Sequence, residues 1–256
     1  MPNQPLITSK DNPHIKLAVR LRESARERRE HGLFFLEGYR LCADALASGY
    51  VPEMLFVTEA ARGKYAIKHE NLIGISEQVA LKLADTQSPQ GIFGVFRVQD
   101  TGNRVHGSGH YIALEMLQDP ANLGAIARTA EALGADGMIV SGGCDVYHPK
   151  ALRASMGALL RLAVTQTEDL PAYLRELDMP CYAAVPDAGA ISLTDCDFRQ
   201  GGVAVIGNEG NGLSDETIAA CAHKMTIPMR GRGESMNAAA AAAIILWEMT
   251  RGGRGD

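Results

Sequence analysis

Nowhere in this 256-residue chain is there a run of about 18 consecutive apolar side chains, the length a membrane helix needs. Met1–Lys10 lacks the charged-then-apolar layout of a secretory leader, so a cytoplasmic protein is expected. Cysteine is sparse. Cys42, Cys144, Cys181, Cys196 and Cys221 are widely scattered, with no C-x-x-C pair and no histidine at zinc spacing, so neither a metal site nor a disulfide framework is expected. No Walker lysine follows any glycine-rich segment, which sets aside triphosphate hydrolysis. Surplus positive charge is missing too. A net charge of −5 excludes indiscriminate coating of nucleic acid, because phosphate affinity comes mainly from Lys and Arg.

The hydrophobic content, 46%, is enough to bury a real core, and the length permits one large domain or two modest ones. Charge is unevenly placed. Residues 1–32 carry seven basic side chains against four acidic ones, leaving the remainder at −8. This arm reads equally well as a solvated helix laced with i,i+4 pairs or as an RNA contact. Asp100 to Gly109, rich in Gly, Ser, Thr and Asn, separates two strand-like runs and reads as a linker. The domains are therefore expected at 1–105, with the basic arm at 1–32, and at 106–256. The first shows Phe34–Leu36, a helical pattern over Gly38–Ala47, Met54–Val57, a helix near Glu77–Ala84 and Ile92–Phe96. That is a small α/β unit.

In the second domain strands are expected at Tyr111–Met116, Gly137–Ser141, Cys181–Val185, Val203–Ile206 and Lys224–Ile227, alternating with helical patterns. Such alternation means a mostly parallel sheet flanked by helices. Asp119 is placed to cap a helix, Pro120 suits its first turn, Leu123, Ile126, Ala127, Ala130 and Leu133 line one face, and Gly134 ends it. Asn122 and Arg128 then lie off the buried stripe. A final helix, Asn237–Met249, runs through an alanine block of high helix propensity.

Three segments stand out chemically. VAVIGNEGNGLSD, Val203–Asp215, sets a strand, a glycine-rich loop and a helix start in series. Its spacing, G-x-x-G-x-G, is wrong for a dinucleotide fold, which argues against an oxidoreductase. Glu209 would repel a phosphate there but would suit a cationic sulfonium or a protein partner. LQDPANLGAIARTAEALG, Leu117–Gly134, places Asn122 and Arg128 around a helix start; IPMRGRGESMN, Ile227–Asn237, ends in the capping residues Ser235 and Asn237. Each also has a plain structural reading: a tight turn, surface solvation, a cap.

Taken in order, with His148–Gly157 between them, these segments resemble the three motifs of the TrmH/SpoU class of SPOUT methyltransferases. The likeness covers about Tyr111–Arg251. Ser9–Gly49 with Ser88-Pro-Gln-Gly is similar to the substrate-binding domain preceding it in members that modify 23S rRNA. Departures are small: Met236 stands where the family usually has Leu, and Ala238–Ala243 replaces a more valine-rich helix start.

The resemblance implies an α/β catalytic domain with a trefoil knot, an exception to the rule of unknotted chains, behind a smaller ribosomal-protein-like RNA-binding domain. It implies S-adenosyl-L-methionine as cofactor, held at Gly207, Ile227 and Met236, no metal, and a homodimer joined through the C-terminal domain. The implied reaction moves a methyl group to a ribose 2′-hydroxyl, most simply in 23S rRNA. A tRNA substrate, or a silent knotted RNA-binding protein, are the alternatives. Arg128 is the residue implied at the hydroxyl, with Asn122, Glu209, Ser235 and Asn237 fixing geometry. A guanidinium is a poor literal base, so Arg128 either is transiently deprotonated with help from the RNA phosphate or orients that phosphate and stabilises the developing alkoxide. Arg26, Arg28 and Arg29 are the expected phosphate contacts of the arm.

Overall fold

Asn12 and Ser24 open the first two helices by accepting hydrogen bonds from the amides of His14 and Glu27. The structure, a computed structural model, describes residues 6–67, 69–99, 105–229, 231 and 235–251. Asp100–Arg104 of the expected linker and residues 230 and 232–234 of the Ile227–Asn237 loop lie outside the described residues.

In chain order the first elements are α1 (Pro13–Glu23), α2 (Ala25–His31), β1 (Leu33–Glu37), α3 (Tyr39–Ala47), β2 (Pro52–Val57), α4 (Glu59–Lys64), β3 (Leu72–Gly74), α5 (Glu77–Leu83) and β4 (Ile92–Arg97). They are followed by β5 (His110–Glu115), α6 (Pro120–Ala132), β6 (Gly137–Ser141), α7 (Pro149–Ala154), β7 (Val164–Thr167), α8 (Leu170–Arg175), β8 (Cys181–Ala184), β9 (Ile191–Ser192), β10 (Gly202–Ile206), α9 (Asp215–Ala220), β11 (His223–Thr226) and α10 (Ala238–Thr250).

Two units result. One is the chain up to Asp100 together with Tyr147–Leu160; the other is Thr101–Val146 with the chain from Arg161 onward. Tyr147–Leu160, assigned by sequence to the second domain, packs with the first unit. The reason is aromatic: the ring of Tyr147 lies 4.6 Å from that of Phe34, beside Phe96 and Tyr50, and Arg153 pairs with Asp85 at 2.6 Å.

The first unit holds a four-stranded sheet in the order β1-β4-β2-β3, with β4 antiparallel to both neighbours and β3 parallel to β2. Because side chains alternate across a strand, Phe35, Phe56, Phe93 and Val95 share one face and pack with Ile15 and Leu21 of α1 and Val79 and Leu83 of α5. Each such fully buried side chain contributes about 1.5–3 kcal/mol of hydrophobic stabilisation.

The second unit is built on a seven-stranded parallel sheet in the order β7-β6-β5-β10-β8-β11-β9. Tyr111, Ala113, Val203 and Val205 face Leu170 and Leu174 of α8. α6 and α10 pack on one another and against β5 and β6, burying Leu123, Ile126 and Ala127 on one helix and Ala242, Ile245 and Leu246 on the other. Alanine at these positions lets the two helices approach closely. Gly134, at φ +75°, ends α6 where a side chain would be strained. From β5 the chain steps outward to β6 and β7, then returns to the other flank through β8 and β10, so the strand order reverses between β5 and β10. In open α/β sheets ligands bind outside the carboxyl ends of strands at such a point.

Candidate active site

Loops leaving the carboxyl ends of β8, β10 and β11, with the start of α10, surround a cavity of about 510 Å³ in the second unit, within the range of small-molecule and cofactor sites. Gly207, Ile227 and Met236, the three residues expected to hold cofactor, all line it, as do Glu209 and Ser235. Most of the rest is apolar or backbone: Val185, Pro186, Ile206, Leu213, Ala238 and Ile245.

The loop after β10 has to be tight. A Cβ on Gly207 would sit 2.2–2.4 Å from backbone atoms of Gly212 and Leu213, so only glycine allows this crossing. Asn208 then closes the turn, with its backbone exchanging hydrogen bonds with Gly212 and its side-chain oxygen accepting from the amides of Gly210 and Asn211. Its Nδ2 donates to the carbonyl of Met116 at 2.8 Å, tying the loop to the end of β5.

That turn presents Glu209 to the start of α6. Oε1 accepts from Asn122 Nδ2 at 3.0 Å and from the Asp119 amide at 3.3 Å, and Oε2 from the Gln118 amide at 3.1 Å. Asn122 Oδ1 in turn accepts from Asn237 Nδ2 at 3.1 Å. Asn237 is also the N-cap of α10, its Oδ1 accepting from Ala239 and Ala240 at 2.9 and 3.2 Å. One continuous hydrogen-bonded path thus joins the three sequence segments. Burial alone would push the Glu209 carboxyl up, but the hydrogen bonds from the Asn122 side chain and the Gln118, Glu209 and Asp119 amides together hold it below its ordinary value.

Not every expected residue joins. Ser235 lines the cavity and is exposed, but Asn237, not Ser235, caps the last helix. Arg128 is exposed on α6, does not line the cavity and has no hydrogen bond or ion pair among the described residues. Six residues separate it from Asn122, roughly 9 Å along the helix axis and on another face. The arm needs a correction. Arg28 is only 3% exposed, and its Nη1 donates to the carbonyls of Leu21 and Arg22, satisfying the end of α1. It is a structural cap and offers nothing to a phosphate. Arg26 is exposed but paired with Glu30 at 2.6 Å; Arg29 is exposed.

Sequence reasoning missed Glu115. This buried carboxylate at the end of β5 accepts from Ser214 through both the amide, 2.9 Å, and the hydroxyl, 2.8 Å, and from the Thr217 hydroxyl at 2.5 Å. It clamps the far end of the glycine loop to the end of β5. A lone Glu inside an apolar run was the available signal.

Among the described residues no group of three or more His, Cys, Asp or Glu could hold a metal ion, and no helix is long and apolar enough to cross a membrane. All five thiols are unbonded, and burial pushes Cys144 and Cys181 up to about 11 and Cys221 up to about 12.

A parallel α/β sheet with a cavity at the carboxyl ends of β8, β10 and β11, a carboxylate suited to a cation and amide side chains beside it defines a small-molecule-binding α/β domain. Residues 109–247 match the SpoU rRNA Methylase family, and residues 12–94 match the MRM3-like substrate binding domain; the chain belongs to the SpoU rRNA methylase family. It is 32% identical to an uncharacterised tRNA/rRNA methyltransferase of Synechocystis sp., over 96% of this chain and 93% of that protein. It is 27% identical to the 23S rRNA (guanosine(2553)-2′-O)-methyltransferase RlmP of Bacillus subtilis, over 95% and 98% of the two chains. A crystal structure of an AdoMet-bound rRNA methyltransferase from Sinorhizobium meliloti superposes with a TM-score of 0.86 at 28% identity, covering 97% of this chain and 98% of that one.

The cofactor is S-adenosylmethionine, and the cavity fits it on its own terms. A glycine crossing that leaves backbone exposed, an apolar wall from Ile206, Ile227 and Ile245, and the ionised Glu209 at one side suit a flat base, a thioether chain and a sulfonium in turn.

Proposed function

We propose that the chain methylates the 2′-hydroxyl of a ribose in 23S ribosomal RNA, acting in the cytoplasm as a homodimer whose C-terminal path carries the trefoil knot implied by the family. The observation carrying this reading is the Asn237–Asn122–Glu209 path laid beside a cavity that contains Gly207, Ile227 and Met236.

S-adenosylmethionine supplies an electrophilic methyl group. What remains for the protein is to hold the ribose oxygen in line and ease the loss of its proton, so positioning dominates. Glu209, fixed by three donors, and Asn122, fixed by two partners, offer a rigid polar edge on which a ribose can be oriented. Arg128 meets the substrate from along α6, where it orients a flanking phosphate and offsets charge growing on the oxygen. Exposed Ile244 and Trp247, 42% and 58% accessible on α10, give a second copy an apolar stripe to cover.

The test is to map 2′-O-methyl groups in total RNA from cells with and without this chain. One 23S site that disappears on deletion and returns on complementation is expected. A missing site in tRNA, or no missing site, overturns the reading.

A further inference from the structure

Most cations of the basic arm already face a carboxylate, several of them in exposed pairs. Lys16, Arg20, Arg22 and Arg26 each face a carboxylate, Asp11, Glu27, Glu23 and Glu30 respectively, and Arg28 is buried. Arg22 also donates to the carbonyls of Lys82, Leu83 and Ala84 at the end of α5. A further RNA-contacting surface of the first unit is to be sought besides exposed Arg26 and Arg29.

β1 and β2 both run antiparallel to β4, so their carboxyl ends share one edge of the sheet, together with the loop entering β4. Two tyrosines meet at that edge. Gly38, at φ +100°, turns the chain off β1 and places Tyr39 as the first residue of α3, where its amide donates to Gln90 Oε1 at 2.8 Å. Tyr65 caps the end of α4. Their rings stack with centroids 4.8 Å apart and planes 20° from parallel, and Lys64 Nζ stands over the Tyr65 ring at 5.2 Å. Arg40 and Lys64, each adjacent in sequence to one of the rings, are exposed, and neither has a carboxylate partner among the described residues. Gln90 belongs to the Ser88-Pro-Gln-Gly segment, which the catalytic site does not use.

Near-parallel aromatic rings at a surface, flanked by cations without counter-charge, match the chemistry of an unpaired nucleobase with its phosphates. Every base has a π-face, so stacking accepts a single strand or loop and refuses a closed duplex. We propose that Tyr39 and Tyr65 form the platform on which an unstacked base of the RNA substrate lies, with Arg40 and Lys64 taking the adjoining phosphates. This rests on the reading of the chain as an RNA methyltransferase and adds where the first unit grips its substrate.

The full chain is tested by filter binding to deproteinised ribosomal RNA and to a single-stranded oligouridylate, with cofactor affinity followed by calorimetry. Tyr39→Leu and Tyr65→Leu keep apolar bulk but remove the stack, and each should weaken RNA binding about tenfold or more. Tyr39→Phe should bind as the parent does, and all three should bind S-adenosylmethionine unchanged. Arg40→Glu with Lys64→Glu, changes at exposed positions that leave the fold intact, should weaken binding and flatten its salt dependence. Duplex RNA should compete poorly. If the Leu and Glu variants bind RNA as the parent does, or if duplex competes as well as single strand, the platform is wrong while the methyltransferase reading stands. If the parent binds cofactor but neither binds nor methylates ribosomal RNA, both fall.

Discussion

Asn122 and Glu209, 87 residues apart in the chain, share a 3.0 Å hydrogen bond that joins the start of α6 to the glycine loop. Glu209→Gln should leave the fold intact but lower methyl transfer at least about tenfold, since a neutral amide oxygen accepts less strongly from three donors. The substitution also has a pH signature. The folded carboxyl lies below its ordinary 4.5, so its contribution to stability is full above that value and lost as pH falls through the lower folded value. Melting curves between about pH 3 and 6 should therefore show a larger acid loss in the parent than in Glu209→Gln. Identical acid profiles would count against the assignment.

Arg128 makes no contact within the cavity, so its removal separates binding from turnover. Arg128→Ala should abolish methylation while leaving cofactor affinity measured by calorimetry unchanged. Arg128→Lys should recover little, because an ammonium lacks the planar fork that orients a phosphate. Normal turnover by Arg128→Ala would remove this residue from the reaction.

Glu115 acts at a distance from the substrate, through Ser214 and Thr217. Glu115→Ala leaves three donors without their acceptor and should cost roughly 2–4 kcal/mol, lowering the melting temperature by about 5–10 °C. It should also weaken cofactor binding, because the loop beginning at Gly207 loses its far anchor. Glu115→Gln, which keeps an acceptor oxygen, should fall between. A variant that melts earlier yet binds cofactor normally would show that the clamp serves stability alone.

The stripe on α10 makes a claim about assembly. Ile244→Glu combined with Trp247→Ala should turn a dimer into a monomer in sedimentation velocity, with loss of methylation. A dimer that persists would place the contact on another surface.

Much of this was legible in the residues. Asp119, Pro120 and Gly134 marked α6 because capping and chain-breaking chemistry are local, and the strands through Val203–Ile206 and Gly137–Ser141 announced themselves as buried apolar runs. β3, β7 and β9 did not: they are short or half-exposed, with no apolar run or alternation to distinguish them from loop. Gly207, Ile227 and Met236 came from resemblance and fell on one cavity. Arg28 failed because charge predicts exposure only on average. Nothing local in Arg-Glu-Arg-Arg-Glu says which guanidinium will turn inward to cap a neighbouring helix. Glu115 and the tyrosine pair depend on partners dozens to a hundred residues away, information that no window of sequence carries.

Asn237 does two jobs with one side chain, starting α10 and bracing Asn122. During synthesis, then, the last strand of the sheet, ending at Thr226, emerges before Asn237 does. A chain still lacking α10 has every strand of the cavity's floor and no brace, so competence to bind substrate waits on Asn237 and the helix it starts. A truncation just upstream of Asn237 would yield a protein that is foldable in outline and silent in chemistry.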